Sequence, residues 1–284
     1  RFEMSSTINN AFITQFEAEV HMAYQRQGSK LKNLVRVVNG VSGESVKFQK
    51  VGTGEATTKA RHAEVVAMNI SHTNVTATLS DYYASDYVDK LDELKTNIDE
   101  RSVIANNAAY ALGRKTDSIV TDAMSSATTL ANNAGASGGT LATDMNVDKF
   151  KEMQELFGTN DVPDDNARYW AIGPSQWADL LADNQWTQME YLGNSELPFA
   201  GMNYTAKRFV GFLTFVHSGL DTSGSTDRHT IAWHKSSMGL GVGSEVRTEA
   251  NYIPEKVSHL LTSYLSMGSI LIDDNGIRVQ KCAE

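Results

Sequence analysis

Cysteine is nearly absent from this chain: 284 residues contain one, Cys282, three positions from the end. A disulfide scaffold and a Cys-based zinc cluster are therefore excluded, and the usage suits a reducing compartment. Long apolar runs are missing too. The longest, residues 209–216, contains Gly211 and Thr214 and falls far short of the roughly 18 residues a membrane span needs. The first residues are neither basic-then-apolar nor followed by a cleavage-like site, so no secretory signal is expected. Met4 reads as an initiator, which leaves Arg1 to Glu3 as an unexplained addition. An excess of base is also lacking, since 25 Lys and Arg face 34 Asp and Glu for a net charge of −9. Such a molecule repels nucleic-acid phosphate as a whole. What is present, at 41% hydrophobic and 21% charged, is enough apolar matter for a core, which excludes wholesale disorder.

Charge is unevenly placed. Between His21 and Arg61 eight bases (Arg26, Lys30, Lys32, Arg36, Lys47, Lys50, Lys59, Arg61) meet only Glu44 and Glu55, a local balance of +6. From Asp81 to Arg101 seven acids (Asp81, Asp86, Asp89, Asp92, Glu93, Asp99, Glu100) outnumber three bases, giving −4. Two solvated faces of opposite sign would explain this. A sharper expectation is that one segment of one copy lies on the other segment of a neighbouring copy, because complementary patches fix register and partner.

The periodicity changes along the chain. Ile8, Phe12, Phe16, Val20 and Tyr24 recur every four residues and predict an amphipathic helix ending near Gly28, followed by an extended stretch over 31–41. Val46 and Phe48, then Val75, Ala77 and Leu79 with Thr76 and Thr78 opposite, alternate with period two, the mark of strands. They predict a two-stranded tongue over 44–80, joined through polar residues 52–58 and too poor in apolar residues to stand alone. Residues 88–124 (Val88, Leu91, Leu94, Ile98, Ala105, Ala108, Leu112, Ile119, Ala123) follow a 3.6-residue repeat, predicting one helix capped by Asp86 and about 55 Å long at 1.5 Å per residue, with a bend at Gly113. Residues 131–146 are small and polar, a flexible loop by composition. A helix is expected over 147–157, with Asn146 as cap and Gly158 as stop, and a short one with Trp177, Leu180 and Leu181 buried follows Pro174. Strands are expected over 168–172, 209–216, 230–234 and 257–272, with Asn275-Gly276 turning the last into a hairpin with 277–279.

No catalytic motif stands out. Gly239, Gly241 and Gly243 have part of a dinucleotide-loop spacing without the third element or a following helix, so a glycine-rich crossing is expected. Gly52 and Gly54 with Lys59 lack the Gly-Lys-Ser/Thr of a phosphate loop. Ser175 has Trp177 where a nucleophile elbow needs glycine. His229 and His234, five apart on a strand, face opposite sides and cannot share an ion. Asp273 and Asp274 sit where a turn favours aspartate. No catalytic, cofactor-binding or metal-binding residue is assigned, and no enzymatic activity is expected.

A basic arm, a β tongue, a long helix, a small α/β lobe and closing strands form the segment order. In that order, and in residues 44–50, 69–79, the segment from Asp86, Arg168-Tyr-Trp-Ala-Ile-Gly-Pro-Ser-Gln-Trp-Ala-Asp-Leu-Leu, and Trp233-His-Lys through Gly268-Ser-Ile-Leu-Ile-Asp-Asp-Asn-Gly-Ile, the chain resembles the major capsid proteins of tailed bacteriophages, with the α+β Hong Kong 97-like fold. The resemblance implies an N-terminal arm (1–43), an extended loop (44–80), a peripheral domain with the spine helix (81–165), an axial domain (166–252) and closing strands of the peripheral domain (253–284). It implies self-assembly into hexamers and pentamers of an icosahedral shell around double-stranded DNA, within a virion assembled in the host cytoplasm. It also implies that the extended loop lies over a neighbouring subunit. With the charge pattern, that nominates Lys47, Lys50, Lys59 and Arg61 against Asp86, Asp89, Asp92 and Glu93 of the neighbour. A separate scaffolding protein and a portal are implied partners, a decoration protein is a further candidate, and no cofactor or membrane is involved. No isopeptide crosslink is expected, because no acceptor Asn or assisting Glu matches a motif. The runner-up readings are an encapsulin-type compartment shell and, behind it, an α/β hydrolase or nucleotide-binding protein built on the 166–252 lobe.

Overall fold

The computed structural model describes residues 25–93, 99–127, 129–130, 144–187, 206–223 and 227–284. Residues up to 24 of the helix expected to end near Gly28 and most of the 131–146 loop lie outside those residues, and residues 25–27 are not helical. In chain order the elements are β1 (Arg36–Asn39), β2 (Ser45–Val51), β3 (His72–Thr78), β4 (Ser80–Asp89), α1 (Lys90–Glu93), α2 (Glu100–Ser125), β5 (Thr129–Leu130), α3 (Val147–Thr159), β6 (Arg168–Ile172), α4 (Pro174–Ala182), α5 (Asn184–Thr187), β7 (Ala206–Phe209), β8 (Phe212–Val216), β9 (Thr222–Ser223), β10 (Asp227–His234), β11 (Met238–Ile253), β12 (Ser258–Leu271) and β13 (Ile277–Ala283).

Two sheets organise the body. One runs β1-β11-β12-β4, and the other β5-β13-β10-β6-β8-β7 with β9 beside β10. The second sheet is buried on both faces, and period two decides which residue goes where. Ile231, Trp233, Ile277 and Val279 join Leu112, Val120 and Met124 of α2 and Leu240, Leu265 and Met267 of the first sheet. Trp170, Ile172, Ala232 and Cys282 face the other way, onto Phe150, Met153 and Phe157 of α3 and Trp177, Leu180 and Trp186 of the small helices. Tilted and edge-on rings such as Phe150–Trp170 at 4.4 Å and Trp177–Trp186 at 5.8 Å add to plain area burial. The tongue is a separate ribbon, β2 paired antiparallel to β3 from Ser45↔Thr78 to Val51↔His72.

Four local expectations need correction. The long helix begins at Glu100, capped by Asp99, whose Oδ1 accepts the Ser102 N–H at 3.3 Å. Asp86 caps nothing: it lies in strand β4, where its Oδ1 accepts the N–H of Tyr87. Residues 80–89 are rich in tyrosine, and inward Tyr82, Ala84 and Val88 alternate with exposed Tyr83, Tyr87 and Asp89, a pleat that the sheet edge at β12 captures. Gly113 does not interrupt α2, which runs through it without a break. A Cβ there would stand 2.8 Å from Gly28 backbone atoms, so its role is to let the incoming chain press on the helix. The single strand expected over 209–216 is a hairpin, because Val210 and Gly211 both take positive φ, as a two-residue turn requires. Finally, Asn275-Gly276 does turn the chain, but β12 and β13 never pair. The turn passes the chain from the first sheet to the second, where β13 runs beside β10 and β5. The helix at Val147–Thr159 has its expected Asn146 cap but runs through Gly158, with Asn160 rather than Gly158 closing it, and the strand at Arg168–Ile172 and the helix starting at Pro174 stand as expected.

Candidate assembly surfaces

The glycines around 240 are not a crossing between elements. They lie within strand β11, so Gly239, Gly241 and Gly243 share one face while Leu240 and Val242 point into the core. That glycine face receives the tongue. A Cβ would stand 2.7 Å from Phe48 at Gly239, 2.5 Å from Val46 at Gly241 and 2.8 Å from Leu79 at Gly243. Gly268 lies opposite Gly241 in the β11–β12 register, and a Cβ there would meet the Thr78 carbonyl oxygen at 2.0 Å. The four glycines form a platform that allows side chains and backbone of the ribbon to lie directly on the sheet. Phe48 and Ala77 are buried there with Ile272, and the Leu79 N–H donates to the Glu44 carbonyl at 2.8 Å across the root. The polar ribbon thus borrows the core it lacks.

Beyond its root the tongue is bare. Residues 53–71 are exposed throughout, including Val65 at 78%, Val66 at 64% and Met68 at 55%. Lys47, Lys59 and Arg61 are exposed on the same element and join no salt bridge among the described residues. Lys50 differs: its Nζ meets Asp273 Oδ1 of the same chain at 2.8 Å. Asp86 and Asp89 stand exposed on β4, the last strand of its sheet, with Asp89 Oδ1 accepting the Leu91 N–H. Asp92 and Glu93 lie in α1. Among the described residues, therefore, none of the nominated bases is joined to Asp86 or Asp89, and Lys50 is engaged by Asp273 instead. Tyr83, Tyr87, Tyr252 and Val257 add exposed apolar surface at the far end of the first sheet, where Lys256 Nζ lies 3.9 Å from the Tyr87 ring centre.

A buried polar cluster that sequence patterns did not reveal anchors the segment leading out of the arm. Asp117, midway along α2, is fully buried. Its Oδ1 accepts the Ser29 hydroxyl at 2.6 Å and the N–H groups of Lys30 and Leu31 at 3.1 Å, and its Oδ2 meets His217 Nε2 at 3.1 Å. Burial alone would raise the carboxyl pKa, but the hydrogen bonds from His217, Ser29, Leu31 and Lys30 outweigh it and hold the value below the ordinary range. Gly219 N–H donates to His217 Nδ1 at 3.2 Å, while His217 Nε2 lies 3.1 Å from both Asp117 Oδ2 and Arg26 Nη1, and Arg26 Nε stands 3.7 Å from Asp117 Oδ2. The only sequence signal was an aspartate inside a helix stripe, a position that a solvated face would also explain.

One arrangement looks catalytic at first sight. Ser236 Oγ lies 2.7 Å from His234 Nδ1, and His234 Nε2 lies 3.0 Å from Asp165 Oδ1. Yet His234 caps the 3-10 turn that follows β10, with Nδ1 also accepting the Ser236 N–H, and the Lys235 N–H is spent on the Ala167 carbonyl. The two N–H groups nearest the hydroxyl are already used, so they cannot hold an oxyanion. The trio ties the 165–167 loop to the sheet. His229 and His234 both lie on β10 without converging, and no cluster of three or more metal-binding side chains occurs among the described residues.

Two layered sheets, a long helix beneath one of them and a protruding ribbon define the Hong Kong 97-like capsid fold. The capsid of cyanophage P-SCSP1u matches over 99% of this chain and 96% of its own, with TM-score 0.76 and 15% identity. Mycobacterium phage Che8 matches over 96% and 97%, with TM-score 0.73 and 16% identity, and the capsid of a native GTA particle over 99% and 100%, with TM-score 0.70 and 14% identity. No curated protein sequence matches. The family profile described as phage capsid protein matches residues 8–284, and the chain belongs to that family. It is a structural capsid protein, and neither the encapsulin reading nor the hydrolase reading is favoured.

Proposed function

We propose that this protein builds the icosahedral head of a tailed double-stranded DNA phage, joining into hexamers and pentamers through its tongue. The observation that carries the reading is a ribbon rooted on a glycine platform whose far half exposes Val65, Val66 and Met68, uncovered by the described residues of its own chain. Such apolar surface is stable in water only when a partner takes it, and a second copy supplies the same partner at every position of a closed ring. Lys47, Lys59 and Arg61 meet the acids of β4 and α1, Asp86, Asp89, Asp92 and Glu93, on that neighbour. Each exposed pair contributes only roughly 0–1 kcal/mol, so the charges set register while apolar contact supplies adhesion.

The arm takes residues 1–43, the extended loop 44–80, the peripheral unit 81–165 with the strands of 253–284, and the axial unit 166–252, to which β13 is hydrogen-bonded. A separate scaffolding protein and a portal complete the assembly in the host cytoplasm, with room for a decoration protein, and the DNA is enclosed without sequence-specific contact. Negative-stain microscopy of the purified protein, alone and with its scaffold, tests the reading. Capsomer rings or uniform hollow spheres are expected, and a monomer that stays compact at high concentration would sink it. Reversing Lys47, Lys59 and Arg61 to Glu together should abolish particles while the monomer still folds, and normal particle yield would refute the tongue contact.

A further inference from the structure

The 165–167 loop, β1 and the turn after β10 enclose a cavity of about 520 Å³ lined by Asn33, Arg36, Asp165, His234, Lys235 and Ser236 among others. We infer that this cavity receives a carboxylate side chain from a second copy of the chain, an inference that rests on the assembly reading. Arg36 and Lys235 are both exposed, and neither joins a salt bridge among the described residues. The cavity's one acid is already committed. Asp165 Oδ1 accepts from His234 Nε2 at 3.0 Å and from the Ala167 N–H at 3.1 Å, and the His234 bond leads in holding its pKa below the usual carboxylate range. That leaves a guanidinium and an ammonium at one concave site, beside the amide of Asn33, against one carboxylate that His234 and the Ala167 N–H already engage and that forms no ion pair with either base among the described residues.

Charge complementarity selects the occupant. Two chains of net charge −9 repel at a distance, so contact between them needs places where an acid of one meets bases of the other. A duplex brings a dense row of phosphates against the same net −9, which opposes it more strongly than a single carboxylate. Arg36 also lies close to the root of the tongue, its guanidinium carbon 5.8 Å from the Phe48 ring centre, so a filled cavity would brace the side of the molecule from which the tongue departs.

The test uses particles assembled from equal parts of unlabelled and nitrogen-15-labelled protein, treated with a carbodiimide that joins lysine and carboxylate without a spacer. Peptides linking Lys235 to an Asp or Glu are expected in mixed-isotope pairs, which only two different chains can give. Lys235 left unreacted, or joined only to Asp165 of its own chain, would overturn the inference. In parallel, the double variant Arg36→Gln/Lys235→Gln should lower particle yield at least tenfold with an unchanged monomer melting curve. Undiminished yield overturns the inference, and if the variant fails to fold, the crosslink decides. Binding of a short duplex DNA by the wild type, lost in a variant that still assembles, would assign the cavity to phosphate and also overturn it. Wild-type protein that forms no particles defeats the assembly reading and the inference together, whereas normal particles from both proteins defeat the inference alone.

Discussion

Placing one methyl group on the glycine platform should free the tongue and spare the body. In Gly239→Ala the new Cβ falls 2.7 Å from Cε2 and Cζ of Phe48 and 2.9 Å from its Cδ2, closer than carbon atoms tolerate. Three contacts on one ring edge leave no small adjustment, so Phe48, now 2% exposed, must swing out. Returning a buried Phe to water costs about 1.5–3 kcal/mol, and that falls on the ribbon because Phe48 packs with Ala77 and Ile272 rather than in either main core. At about 1.4 kcal/mol per factor of ten, amide exchange of β2 and β3 should accelerate roughly ten- to a hundredfold, while β10 and β13 exchange as before. Hydrogen exchange read by mass spectrometry over 45–51 and 72–78 measures this. Phe48→Ala supplies the cross-check: the three atoms nearest the new methyl all belong to the Phe48 ring, so with the ring gone the double variant should be no looser than Phe48→Ala alone. Unchanged exchange in Gly239→Ala, or additive effects of the two substitutions, would refute the platform.

The remaining predictions concern buried ionisable groups. Asp117→Asn should lower the denaturant midpoint, since hydrogen bonds to a charged group contribute about 1.5–3 kcal/mol each and Asp117 accepts several. Its pKa is lowered on folding from 3.8, so its contribution is present above that value and lost as pH falls through the lower folded one. Acid unfolding of Asp117→Asn should accordingly be shallower below about pH 4. Lys207 Nζ donates to the Trp186 carbonyl at 2.7 Å and lies 4.4 Å from the Trp186 ring centre, and burial pushes its pKa from 10.5 down to about 8. The unfolded chain therefore binds more protons between those values, and this group adds stability as pH rises from 8 to 10.5. Melting temperatures of wild type and Lys207→Met should diverge in that sense across the window, and parallel curves would refute the shift.

How much of this the sequence disclosed depends on whether the deciding contact is local. The tongue was legible because Val46, Phe48, Val75 and Ala77 alternate within a few residues, and the helix at Val147–Thr159 because Asn146 and the Phe150, Met153, Phe157 stripe lie within it. Residues 80–89 misled, because Val88 and Leu91 fit a helical period while the pairing of Tyr82 with Leu265 and Val88 with His259 reaches some 170 residues ahead. Asn275-Gly276 marked a turn correctly, but a turn does not say which sheet receives the next strand. For the proposed assembly surface, charge pattern nominated the bases and acids but did not reveal the engagement of Lys50 by Asp273. The platform was visible only as glycine spacing. Its meaning required knowing that Val46, Phe48 and Leu79, far earlier in the chain, would lie on it.

The platform also explains why a polar ribbon can serve as a reaching element. A hairpin of this composition is marginal in water on its own, and one made apolar enough to be self-sufficient would associate indiscriminately before finding its place. Rooting only the Phe48 end on glycines fixes the direction of departure while the Val65 to Met68 end stays uncovered. Gly241 and Gly268 face each other across β11 and β12, so side chains at either would lift the root and alter that direction. The direction in which the ribbon leaves the body is thus set within the chain itself, by four missing side chains.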